Sequence, residues 1–79
     1  MATSTNDLGW TAYTPHGIRL RVRDIYRHGA IEYELCSEGG QMLIRRLDYE
    51  GKTTVVSEAC RGLARDTEAA WATLIRSLC

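Results

Sequence analysis

The 79-residue chain lacks most of the features that announce a function. It has no net charge, ten basic residues balancing ten acidic ones, so no overall positive field is available to hold a nucleic-acid backbone. Its three cysteines, Cys36, Cys60 and Cys79, are odd in number and widely spaced, with no CxxC pair. That pattern argues against a disulfide framework and predicts free thiols in a reducing cytoplasm. No apolar run approaches the roughly 20 residues of a membrane span, and the opening Met-Ala-Thr-Ser-Thr-Asn-Asp is not a signal-peptide pattern, so no membrane partner is expected. Proline occurs once, at Pro15, and lysine once, at Lys52. The remaining nine basic residues are arginine, the better side chain for bidentate contacts at an interface.

Catalytic and metal-binding patterns are missing as well. His16 and His28 fall in predicted turns, and neither has a sequence neighbour that would make a nucleophile–base pair. A zinc site built from His16, His28, Cys36 and Cys60 would lack the short-spaced ligand pairs that structural zinc sites use. Gly39-Gly40 is followed by neither a helix start nor a lysine, so it is not a phosphate loop. The acidic residues form no metal-ligating cluster. The sequence therefore predicts a non-enzymatic protein with no cofactor and no metal.

What is present is strand periodicity. In residues 17–35, Ile18, Leu20 and Val22 alternate with Arg19, Arg21 and Arg23; after a turn near Arg27-His28-Gly29, Ile31, Tyr33 and Leu35 alternate with Glu32 and Glu34. Period-two alternation marks half-buried antiparallel strands. The pattern predicts strands over residues 18–26, 30–37, 41–49 and 53–59, with a short edge strand in residues 8–13. Thr14-Pro15-His16-Gly17 reads as a turn, as does Asp48-Tyr49-Glu50-Gly51-Lys52, with Gly51 at a left-handed position. Gly39-Gly40 reads as a two-residue hairpin that sets Cys36 opposite Leu43, Leu35 opposite Ile44 and Glu34 opposite Arg45. An outer charge ladder Arg21–Glu34–Arg45 follows from that register, each opposed pair contributing roughly 0.2–1 kcal/mol.

The last segment is helical. Asp66 or Thr67 serves as N-cap of a helix over residues 67–78, and Ala70, Trp71, Leu74, Ile75 and Leu78 form one apolar stripe. The expected architecture is α+β: a disordered stretch over residues 1–7, then one domain over residues 8–79. In it an antiparallel meander of four to five strands is covered on one face by the C-terminal helix. The expected inner face is Ile18, Leu20, Val22, Ile31, Tyr33, Leu35, Ile44, Trp71, Leu74 and Leu78. A chain this short buries only about 60% of its unfolded surface, so the core is thin and leaves little room for a deep cleft.

On this reading the arginines occupy a broad face free of the helix. The expected partner-binding residues are Arg19, Arg21, Arg23, Arg27, Glu32, Glu34 and Arg45, with Trp10 either capping the core or standing exposed as an interface anchor. A mixed arginine–glutamate face suits a protein partner, because opposed charges steer the encounter and fix its register. In size and layout the chain resembles the small inhibitors of phages and mobile elements, anti-CRISPR proteins among them, which implies a protein that acts by occluding a partner. The meander-then-helix order, with Asp-Thr-Glu-Ala-Ala at residues 66–70, also resembles AP2-type and integrase arm-binding domains. That likeness implies a nucleic-acid partner, read by the sheet arginines Arg19, Arg21 and Arg23. The sequence departs from those families in Glu32 and Glu34, which would repel phosphates, and in the missing AP2 strand signature. A homodimer joined through an edge strand or Cys79 is the third expectation.

Overall fold

The structure, a computed structural model, describes residues 8–16 and 19–79. Five strands, β1 (Thr11–Ala12), β2 (Leu20–His28), β3 (Ile31–Glu38), β4 (Gln41–Asp48) and β5 (Val55–Gly62), precede one helix, α1 (Ala64–Leu78). They form a single antiparallel sheet in the order β1-β5-β4-β3-β2, with α1 packed on one face, so the α+β architecture is the one expected. The expectation for residues 1–7 lies outside the described residues, as does that for Ile18.

The central hairpins follow from local chemistry. Gly39 and Gly40 take φ of 60° and 78°, the left-handed pair that a two-residue hairpin with the sheet's own twist requires. The resulting register sets Glu38 opposite Gln41, Cys36 opposite Leu43, Leu35 opposite Ile44 and Glu34 opposite Arg45, as the sequence predicts. Gly51 is not left-handed, and the segment before β5 is a series of bends rather than a tight turn.

On the helix face Tyr33, Leu35 and Ile44 pack against Trp71 and Leu74, with Ile31, Met42, Ala70, Ile75 and Leu78 around them. The predicted stripe of α1 is therefore the one that meets the sheet. The helix starts earlier than expected, at Ala64 with Leu63 as its N-cap. Thr67 is buried one turn in, where its hydroxyl donates to the Cys60 carbonyl at 2.6 Å and ties α1 to the end of β5. The sequence pattern of Thr-x-x at a helix start made it look like a cap, yet its hydroxyl is engaged in a tertiary bond.

β2 departs most from expectation. Val22 pairs with Cys36 but Asp24 pairs with Leu35, so Arg23 is an extra residue, a β-bulge. One inserted residue exchanges the two faces of a strand. Beyond the bulge, Asp24 and Tyr26 lie on the helix face, and Trp71 Nε1 donates to Asp24 Oδ2 at 3.1 Å. Before it, Leu20 and Val22 sit opposite Glu38 and Cys36 on the outer face, and Arg21 sits opposite Ser37 on the helix face. The expectation of Leu20 and Val22 in the inner core is thus corrected, and so is the ladder: Glu34 is flanked by Ile25 and Arg45, not by Arg21.

A second bulge opposite Leu43 lies in β5, where Cys60 takes φ 57°. A left-handed non-glycine residue costs about 1–2 kcal/mol. Here it turns Arg61 onto the outer face beside Glu58, while Cys60 packs against the core. Among the described residues no helix is long and apolar enough to cross a membrane.

Candidate functional site

The outer face, expected to be a solvated ladder, is largely buried. Cys36 and Leu43 are fully enclosed, and Glu32, Glu34 and Glu38 are each less than 10% exposed. Topology supplies the reason. β1 and β2 lie at opposite edges, four strand spacings or about 19 Å apart, so the connection between them must cross the sheet. Its described part lies on the outer face: the Tyr13 hydroxyl donates to Glu38 Oε2 at 2.7 Å, and the Thr14 N–H donates to Glu58 Oε1 at 3.3 Å.

Beneath this strap the carboxylates are matched by guanidinium groups. Arg45 Nη2 is 2.6 Å from Glu34 Oε1, and Arg45 also stacks under the Tyr13 ring at 5.0 Å. Arg61 bridges two carboxylates, with Nη2 at 3.1 Å from Glu38 and Nε at 2.7 Å from Glu58. The Tyr13 hydroxyl, with Arg61 behind it, holds the Glu38 carboxyl below its ordinary value; Arg61 and the Thr14 amide do the same for Glu58. Burial and the neighbouring Glu34 push the Cys36 thiol up to about 11. This layer is occupied with itself. Arg27 and Glu32 pair at 2.9 Å farther along the same face, with Arg27 largely in solvent.

Trp10 belongs to the core rather than to an exposed anchor. Its ring lies 6.0 Å from Tyr33 on the helix face, and Arg46 stacks over it at 5.9 Å. Of the residues expected to contact a partner, Glu34, Arg45 and Trp10 are therefore engaged inside the fold.

Arg19, Arg21 and Arg23 are the ones brought together. They line a cleft of about 350 Å³ with Ser37, the Gly39-Gly40 turn, Gln41, Met42 and Ala64 at the start of α1. The bulge places them there, on the helix side and not on the helix-free face. Arg23 Nε donates to Ser37 Oγ at 3.2 Å, and no carboxylate among the described residues pairs with any of the three. Glu38 borders the cleft, but its carboxylate is committed to Tyr13 and Arg61. The cleft runs beside β2, a nine-residue strand at the edge of the sheet, along which Val22 and Ile25 are also exposed. The sequence signal for the cluster was the Arg-x-Arg-x-Arg run itself; the bulge that decides its face has no glycine to mark it.

Among the described residues no group of three histidine, cysteine, aspartate or glutamate side chains is placed to hold a metal ion. Compared with known proteins, the chain matches no family model, no curated protein and no solved structure.

Proposed function

We propose that the chain is a non-enzymatic binding module that docks an acidic surface of a partner protein on the Arg19–Arg21–Arg23 cleft and the adjoining edge of β2, and acts by covering that surface. One observation carries this reading. Glu32, Glu34, Glu38 and Glu58 are each held by Arg27, Arg45 or Arg61, whereas three guanidinium groups share one cleft and, among the described residues, none of them is paired with a carboxylate. Local positive charge on a neutral chain steers a complementary partner without general attraction to polyanions. The open edge adds backbone donors and acceptors that an extended segment can pair with.

Sheet-face reading of duplex nucleic acid is supported less well. It needs guanidinium groups on a broad free face, and the outer face carries four carboxylates and the strap. Affinity capture with the wild-type chain and with R19E/R21E/R23E tests the proposal. The expected result is a partner lost with the triple variant and kept with R27E, circular dichroism being unchanged in both. Capture of the same proteins by wild type and triple variant alike would end the proposal. Retention of random-sequence duplex DNA by the wild-type chain, falling steeply with salt and lost in the triple variant, would favour the nucleic-acid reading.

A further inference from the structure

We propose that the arginine cleft is a receptor for a phosphate monoester. This rests on the cleft being the docking surface and names the chemistry it takes. Three guanidinium groups in about 350 Å³ present more charge than one carboxylate can neutralise. A monoester carries about −1.5 to −2 at neutral pH and has three strong acceptor oxygens, each suited to the fork of an arginine. Two of the other lining residues can donate as well, while Met42 is apolar and the Glu38 carboxylate is held by Tyr13 and Arg61. Ser37 accepts from Arg23, which leaves its own hydroxyl proton free to donate. Gln41 contributes an amide. The 15-residue helix α1 begins at the cleft with no side chain capping its first amides, so its positive end faces the same space. Asp66, the acidic residue of that first turn, is engaged by Arg65 at 3.4 Å and does not border the cleft. Gly39 and Gly40 put bare backbone on the rim, and no atom lies within 4 Å of where a Gly40 side chain would start, so the approach is open.

The test is a nitrogen-15 NMR titration of the full chain with O-phosphoserine, adenosine 5′-monophosphate, acetate and sodium chloride at matched ionic strength. A glutamate-rich unphosphorylated peptide is the fifth probe. Both phosphate monoesters should shift the amides of Ser37, Gly39, Gly40, Gln41 and Ala64 saturably, at least tenfold more tightly than acetate. The affinity should weaken as the pH falls through about 6, where the dianion is protonated to the monoanion. R21Q/R23Q should lose at least tenfold, with the rest of the spectrum unchanged. Tighter binding of phosphoserine than of the nucleotide identifies a phosphorylated protein as the source; the reverse order identifies a nucleotide or an RNA end. Shifts that grow linearly and match those from chloride would overturn the proposal. If the acidic peptide moves these amides and phosphoserine does not, the phosphate receptor falls and the docking surface stands; if neither does, both fall.

Discussion

Arg45 shows what a single side chain does in the buried charged layer. Its guanidinium is the partner of Glu34 and stacks on Tyr13, all under the strap. Arg45→Met leaves Glu34 charged and enclosed, which should destabilise the fold by about 3 kcal/mol. Adding Glu34→Gln should recover most of that loss, and urea midpoints of the two variants check both statements. Glu38 and Glu58 set the pH response. Their folded carboxyls lie below the ordinary value, so the stability they contribute is present above the unfolded pKa of about 4.3 and is lost as pH falls through the folded values. Urea midpoints should therefore hold between pH 7 and about 5 and decline below that. The thiols separate cleanly. Cys79 is exposed, Cys60 is half-buried with its thiol raised by burial, and Cys36 is enclosed with its thiol near 11. A disulfide-exchange reagent at pH 8 should titrate Cys79 first and reach Cys36 only on unfolding.

At the scale of the element, two bulges decide what the sheet does. Most strands were legible because period two, Gly39-Gly40 and the apolar stripe of α1 each encode their own geometry. The face of the arginines was not. Residues 19–22 alternate polar with apolar, but Arg23-Asp24 and then Ile25-Tyr26 each repeat a class, a loss of phase that does not by itself tell which residue is the extra one. The tertiary bond from Trp71 to Asp24 selects the shifted phase, and no local signal reports it. Deleting Arg23 should remove the bulge and leave one continuous register, with Val22 still opposite Cys36 and Asp24 opposite Leu35, so Leu20 and Val22 stay on the outer face. The amide shifts of Ser37 and Ala64 should then respond more weakly to phosphoserine, because the cleft keeps two arginines in place of three. At the β5 bulge, Thr67→Val strands the Cys60 carbonyl, at a cost of about 1–3 kcal/mol, whereas Thr67→Ser should stay near wild type. Thermal melts distinguish the two.

Across the whole molecule, the two edges are unequal. β1 has two residues and β2 has nine. The bulge at Arg23 puts the two halves of β2 on opposite phases, with Arg21 on the helix face and Arg27 on the outer face, so antiparallel pairing with a second copy about the midpoint cannot match faces along its length. Sedimentation at tens of micromolar should show a monomer in reductant.

The strap across the outer face also imposes an order of assembly. β1 pairs only with β5, and Tyr13 and Thr14 close over Glu38 and Glu58. The opening segment therefore has no strand to pair with until the ribosome has released the chain past Glu58. Until then the β2–β3–β4 meander stands with its acidic side chains in water, a hydrated intermediate that is slow to stick to its neighbours.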